Sequence, residues 1–102
     1  MIRSTTRFDS ARAERYLVQL CKHFAHKVPA TYEAAGDGTG SRAEGKVDFP
    51  WGVCRLSATG AGLAITCEAP DRESLKRVEY VVADHVERFA WREKPRIDWQ
   101  SA

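Results

Sequence analysis

The sequence predicts an α+β fold: a two-layer sandwich with two helices on one face of a mainly antiparallel sheet of about five strands. Two long segments carry apolar side chains at the spacing of a helix with one buried face. The remaining apolar residues alternate with polar ones in short runs separated by turn residues, as in half-buried strands. Because these runs follow one another through hairpin-length turns, both helices are expected to cover the same face.

Size and composition indicate one domain spanning residues 1–102. Hydrophobic residues make up 43% of the chain and charged residues 29%, which is typical of a globular protein and unlike a disordered one. No stretch approaches the ~18 apolar residues of a membrane span, and the amino terminus lacks the apolar run of a secretory signal. We therefore expect a cytoplasmic protein without a membrane partner.

The charge pattern does not favour nucleic acid as a partner. The 16 basic and 14 acidic residues give a formal net charge of +2, whereas phosphate backbones are bound by basic groups gathered along one surface. The outer face of the predicted sheet mixes both signs, so pairing across strands is the expected role of these groups. The charged residues expected on that face are Arg3, Arg7, Lys46, Arg55, Arg96, Glu44, Asp48, Glu68 and Asp98.

The first strand and the first helix follow directly from the pattern. Residues Ile2 to Phe8 alternate apolar or small side chains with Arg3, Thr5 and Arg7. Asp9 and Ser10 can cap a helix from about Ala11 to Val28, which Pro29 ends. At about 100° per residue, the apolar side chains of this segment form one buried stripe. The stripe consists of Ala13, Leu17, Leu20, Cys21, Phe24 and Val28.

The rest of the chain predicts a flexible loop, a meander and a second helix. Glycines and polar residues dominate positions 34–45, which indicates a flexible glycine-rich loop. Alternation then predicts three strands, and Asp71 is placed to cap the second helix. The predicted strands are Lys46 to Phe49, Val53 to Ser57 and Leu63 to Cys67, followed by a helix from Arg72 to Ala90 and a strand from Pro95 to Gln100. The predicted order is strand, helix, three strands, helix, strand.

The three cysteines favour a structural role. Cys21, Cys54 and Cys67 are too far apart in sequence for a zinc knuckle, and all fall on predicted inward faces. Buried thiols behave as small apolar groups with little thiolate character. No serine occupies a nucleophile elbow, and no glycine-rich segment opens a helix after a buried strand. The chain therefore lacks the local signatures of serine hydrolases and of dinucleotide-binding enzymes.

Residues Cys21 to Lys27 hold the densest potential ligand chemistry. On an ideal helix Cys21 and His23 lie about 160° apart, so they cannot share a metal ion. His23 and His26 lie about 60° apart with side chains about 5 to 6 Å from each other, which permits a two-histidine metal site. The alternative is that His26 is solvated and His23 forms a hydrogen bond at the flank of the helix.

A groove between the two helices is the other candidate site. The edge of an apolar stripe, where it borders the polar side of the helix, is here called its shoulder. One shoulder of the stripe on the first helix carries His23, Tyr16 and Lys27, and one shoulder of the apolar stripe on the second helix carries His85. If these shoulders face each other, His23 and His85 meet beside Tyr16 in a partly apolar cleft, where histidine suits reversible protonation or metal ligation. The alternative is that each histidine only bonds a carbonyl or carboxylate.

Three motifs resemble the bacterial domain of unknown function 2218 family: Cys21 to Lys27, Asp48 to Gly52 followed by Cys54, and His85 to Ala90. They occur in the right order and span nearly the whole chain. The resemblance implies a small single-domain bacterial protein without an established biochemical role. It also carries a hint of an iron-uptake or siderophore gene context, which is not an activity. The stretch from about Glu33 to Glu44 is longer than the usual loop of the family.

These observations leave three functional hypotheses. The first is a non-catalytic module that binds a small ligand or a metal-associated compound through His23, His85, Tyr16 and Lys27. The second is an interaction protein that forms a homodimer through a sheet edge or through Trp51 and Trp91. The third, an enzyme that uses His23 or His85 as acid or base, has the least support. No cofactor is predicted, and a metal ion at His23 and His26 stays an open alternative.

Overall fold

The structure is a computed structural model that describes residues 1–34 and 42–102. Within these residues, two α-helices pack on one face of a six-stranded antiparallel sheet with the order β2-β3-β4-β5-β1-β6. The predicted fold class is therefore confirmed. The elements are β1 (Ile2–Asp9), α1 (Ala13–Phe24), β2 (Ala30–Ala34), β3 (Ala43–Phe49), β4 (Gly52–Ala58), β5 (Gly62–Ala69), α2 (Arg72–Phe89), a short 3-10 helix (Trp91–Glu93) and β6 (Gln100–Ser101).

Strand β1 lies inside the sheet, between β5 and β6. Its alternation is the predicted one, because Ser4, Thr6 and Phe8 are buried while Arg3 and Arg7 are exposed. The antiparallel pairing of β1 with β5 places Arg3 directly opposite Glu68. The inward side chains of this strand therefore reach the layer of helices.

The outer face of the sheet carries the predicted pairing of opposite charges. Glu68 accepts Arg3 Nη2 at 2.9 Å on one carboxylate oxygen and Arg55 Nε at 2.8 Å on the other. Lys46 and Asp48 form a longer pair at 3.6 Å. Two of the arginines on this face, Arg3 and Arg55, therefore share one carboxylate.

Helix α1 is shorter at both ends than the sequence predicts. Ser10 Oγ accepts the backbone N–H of Arg12 at 3.0 Å, which forms a local turn and delays the helix to Ala13. At the other end, the N–H of His26 bonds the carbonyl of His23 at 3.3 Å, and turns replace the helix after Phe24. Helix α2 begins at Arg72, as the sequence predicts.

The core lies between the helices and the inner face of the sheet. It contains all three cysteines and the apolar stripe predicted for α1, except that Val28 is only half-buried. Helix α2 contributes the buried side chains Leu75, Val78, Val82 and Val86, and Phe89 is half-buried beside them. The largest fully buried side chains are Leu17, Leu20, Leu63, Ile65, Val47, Val78, Val82, Val86, Cys21, Cys54 and Cys67.

Two further regions differ from the sequence prediction. The predicted loop at 34–45 is strand at both ends, since Ala34 closes β2 and β3 starts at Ala43; positions 35–41 of this loop lie outside the described residues. Strand β2 itself was not predicted. The last strand is Gln100–Ser101 instead of Pro95 to Gln100, because Pro95 has no N–H for a ladder and the chain pairs with β1 only at its end.

Candidate functional site

His23 and His85 meet in the groove between the helices. His23 stands in the last turn of α1 and His85 in the second half of α2, and their ring centroids are 4.8 Å apart with the rings tilted by 49°. The Nδ1–H of His85 donates to the carbonyl oxygen of Val81 at 2.7 Å. Because a carbonyl can only accept, this bond fixes the proton on Nδ1 and leaves the Nε2 lone pair of a neutral ring free.

Aromatic rings surround this pair, and we call the whole group the imidazole–aromatic cluster. Phe24 lies 4.7 Å from His85 and 5.7 Å from His23 between ring centroids. Phe89 lies 5.7 Å from His23 on the other side. The cluster consists of His23, His85, Phe24, Phe89, Phe49 and Trp51. Its rings form a continuous apolar wall beside the two imidazoles.

The turn between β3 and β4 extends that wall. Phe49 packs edge-on against Phe24 at 5.2 Å, and Trp51 stacks on Phe49 at 4.8 Å with an interplanar angle of 8°. The guanidinium of Arg77 lies 4.5 Å above the Trp51 ring, a cation–π contact. This end of the molecule therefore combines stacked rings with positive charge.

The charge of His23 depends on its surroundings. Partial burial lowers the pKa of His23, and the positive charges of His85, His26, Lys27 and Arg88 lower it further. A lowered pKa keeps the ring neutral near neutral pH. Neutral imidazole is the form that accepts a hydrogen bond or ligates a metal ion.

Tyr16 does not belong to this groove, and its predicted place there was wrong. Its ring packs on Phe8 at 6.3 Å, and its hydroxyl donates to Glu93 in the 3-10 helix. The reason is axial distance: Tyr16 and His23 share a face of α1 but are seven residues apart, or about 10 Å along the axis.

Lys27 and His26 stand at the edge of the groove. Both are exposed in the turn that follows α1, and both contribute positive charge near His23. Among the described residues, no group of three or more histidine, cysteine, aspartate or glutamate side chains is arranged to hold a metal ion. A pair formed by His23 and His26 therefore gains no third ligand from this part of the chain.

The cysteines are free and buried, as predicted. Cys54 and Cys67 are direct partners across β4 and β5, and their mutual hydrogen bond together with burial raises the pKa of the Cys54 thiol. Burial raises the pKa of Cys21 to about 11. Thiols in this state contribute packing rather than nucleophilic chemistry.

Comparison with known proteins agrees with the fold and gives no activity. The family model for DUF2218, described as an uncharacterized protein conserved in bacteria, matches residues 5–100. The chain belongs to this family. It is also similar to the NMR structure of PA4090 from Pseudomonas aeruginosa, with 35% identity over 98% of this chain and 96% of that chain and a TM-score of 0.74. No curated protein matches the chain.

For this member of the DUF2218 family, sequence reasoning missed the contribution of Phe49 and Trp51 to the site. The turn Asp48 to Gly52 is one of the motifs that carry the family resemblance, but the sequence assigns Trp51 only to the alternative of a dimer interface. Two aromatic residues on either side of a proline in a tight turn are the signal that could have placed both rings together.

None of the helices among the described residues is long and apolar enough to cross a membrane.

Proposed function

We propose that this chain binds a small metal complex, to which His23 and His85 each supply one nitrogen ligand. Two imidazoles that share one metal ion at nitrogen–metal distances of about 2.0–2.1 Å place their ring centroids about 5 Å apart. The observed 4.8 Å fits this arrangement. This centroid distance is the observation that carries the proposal.

The hydrogen bond of His85 supports the same assignment. Histidine ligands usually donate their second ring N–H to a carbonyl or carboxylate, which orients the ring and fixes its tautomer. The Nδ1–H of His85 makes such a bond to Val81, so Nε2 is the available ligand atom. The ring of His85 is therefore oriented before any metal arrives.

A chelated metal suits the site better than a bare ion. Structural zinc sites use four protein ligands and catalytic sites use about three, whereas the described residues offer this pair without a third. A small chelating molecule can fill the remaining positions of the metal. Its organic part would lie against Phe24 and Phe89, and the positive charges of Lys27 and Arg77 favour an anionic chelator.

Nickel(II) nitrilotriacetate is a direct probe, because it is an anionic complex that leaves two neighbouring coordination positions open. Untagged protein should bind it in solution, as measured by calorimetric titration. His23→Ala and His85→Ala should each weaken binding by at least about tenfold, the usual effect of losing a ligand or its support. His23 is exposed and His85 is half-buried, so these variants are expected to fold.

His26→Ala is the matched control, because His26 is another histidine on the same segment but outside the close pair. It should leave the affinity unchanged. Equal losses from His26→Ala and His85→Ala would show nonspecific surface binding and reject the proposal. Unchanged affinity in the His23→Ala/His85→Ala double variant, with an unchanged melting temperature, would also reject it.

Homodimerisation is a second candidate, favoured by the position of β2. This strand lies at one end of the sheet and has β3 as its partner among the described residues, and an open strand edge is a template for pairing with another chain. Tyr32 on β2 is 38% exposed and Trp91 is 64% exposed. Light scattering over a range of concentrations tests this candidate, and a monomer throughout would exclude it.

A further inference from the structure

A second recess lies away from the histidines, between the start of β1, the first half of α2 and β6. Its volume is about 430 Å³, within the range of about 300–1,000 Å³ that small-molecule sites occupy. Sequence reasoning did not indicate it. The side chains that matter for its chemistry are Ser4, Arg72, Leu75, Lys76, Glu79 and Trp99.

One face of α2 forms one wall of the recess. Arg72, Leu75, Lys76 and Glu79 have the spacing of a single helical face, so they project toward the recess together. Leu75 is buried, whereas Arg72 and Lys76 are exposed. Neither of these two cations forms an ion pair with any part of the chain that the structure describes.

Glu79 and Trp99 complete the recess. The hydroxyl of Ser4, which is 4% exposed, donates to Glu79 and so holds this carboxylate at the wall. Trp99 is half-buried and packs against the core, so its ring is fixed as an apolar surface. Arg3 also lines the recess, but its guanidinium pairs with Glu68. Among the other described side chains of the recess, Arg72 and Lys76 against Glu79 leave an excess of one positive charge, which matches a ligand with one negative charge.

We infer that this recess binds a small aromatic carboxylate. The carboxylate of the ligand pairs with Arg72 and Lys76, since charge-assisted hydrogen bonds to arginine are short and strong. The aromatic ring lies between Trp99 and Leu75, where it replaces water on apolar surface. This site is separate from the imidazole–aromatic cluster and does not depend on the proposed metal complex.

Benzoate tests the inference, with two controls that separate charge from ring. Benzamide keeps the ring and removes the charge, and inorganic phosphate keeps negative charge and removes the ring. In NMR titrations of the ¹⁵N-labelled protein, benzoate should give saturable shifts at Ser4, Gln100 and the Trp99 indole N–H. Benzamide and phosphate should bind at least about tenfold more weakly, as expected when one of two contributing contacts is lost.

Variants of the two cations test the assignment. Arg72→Gln/Lys76→Gln should weaken benzoate binding at least about tenfold without loss of fold, because both side chains are exposed and a cation in the first turn of a helix does not stabilise it. Lys22→Gln on the exposed face of α1 should change nothing. The inference fails if benzoate shifts do not saturate, if benzamide binds equally well, or if the double variant keeps full affinity. Shifts centred on His23 and His85 would also refute it.

Discussion

Tyr16 donates its hydroxyl hydrogen to Glu93 and thereby ties the first turns of α1 to the 3-10 helix that follows α2. Ser10 donates to the same carboxylate oxygen at 3.1 Å. These two bonds lower the pKa of the Glu93 carboxyl, with Tyr16 as the larger cause. A residue that sequence reasoning assigned to the ligand groove therefore holds the C-terminal segment in place.

Tyr16→Phe should lower the free energy of unfolding by about 1 kcal/mol, the usual net value of a hydrogen bond. The ring keeps its packing on Phe8, so the loss reports the hydroxyl alone. Tyr80→Phe is the control, because Tyr80 is 74% exposed and its hydroxyl should contribute almost nothing. Urea denaturation measures both, and equal stability of the two variants would contradict this role for the Tyr16–Glu93 bond.

The same substitution separates structure from binding. Because Tyr16 lies about two helical turns from His23, Tyr16→Phe should leave the affinity for nickel(II) nitrilotriacetate unchanged. A loss of affinity comparable to that of His85→Ala would mean that Tyr16 contributes to binding in the groove between the helices. Calorimetric titration of the folded variant provides the measurement.

Gly45 is predicted to be intolerant of any side chain. A Cβ at this position of β3 would lie 2.7 Å from Cys21 Sγ and 3.2 Å from a methyl carbon of Leu17. Gly45→Ala should therefore destabilise the protein by about 1–3 kcal/mol, the usual cost of overpacking a core. Thermal or urea unfolding gives the value.

A double-mutant cycle checks that the clash is the cause. Cys21→Ala removes the sulfur atom that the new methyl group would meet, so Gly45→Ala should cost at least about 0.5 kcal/mol less in that background. An identical cost in both backgrounds would mean that Cys21 is not the obstacle.

The spacing of apolar residues in the sequence was sufficient to predict those helices and strands that bury one face. The stripe from Leu17 to Phe24 predicted that α1 packs on the core. The position of His23 at the edge of that stripe left contact with His85 as one of two alternatives, and the structure brings the two rings together. The same reasoning failed for Tyr16, because the angle around α1 says nothing about the distance between Tyr16 and His23 along the axis of that helix. It also missed β2, where Thr31 and Tyr32 are both exposed and no buried alternation marks the strand.

The recess next to Trp99 could not be predicted from any local pattern. Ser4, Lys76 and Trp99 come from three distant parts of the sequence and meet only because β1 pairs with β6 and packs beneath α2. The four-residue spacing of Arg72 and Lys76 places them on one face of α2, but the opposite wall depends on how the C-terminal segment returns to the sheet. Contacts of this kind require the tertiary structure.

Glu68 should make stability depend on pH in the acid range. Hydrogen bonds from Arg55 and then from Arg3 hold the pKa of its carboxyl below the ordinary value of 4.5. As pH falls, the unfolded chain takes up this proton first, so the stabilisation is complete above the ordinary value and is lost as pH drops from there through the folded pKa. Urea unfolding between about pH 7 and about pH 3 should show this decline.

Glu68→Gln should flatten that decline, because the amide cannot titrate. Its side chain is 11% exposed, so solvent screens the two ion pairs less than it would at the surface. Glu44→Gln, at an exposed position of β3, serves as the control and should keep the wild-type pH profile. A profile that is the same for Glu68→Gln and the wild type would assign the acid sensitivity to other carboxyls.

The three thiols should be inert in the folded protein and reactive once it unfolds. Cys21, Cys54 and Cys67 are at most 1% exposed, and the pKa of Cys21 is raised to about 11, so almost no thiolate is present at mildly alkaline pH. An aromatic disulfide reagent should therefore label none of them rapidly in native buffer and all three in guanidinium chloride. Since labelling of the native protein requires opening of the core, the logarithm of its slow rate should increase in Gly45→Ala in proportion to the lost stability. Rapid labelling of one thiol in the stable wild-type protein would show that the layer between α1 and the sheet opens locally. Cys21 would then not be held rigidly against Gly45, and the predicted clash in Gly45→Ala would lose its support.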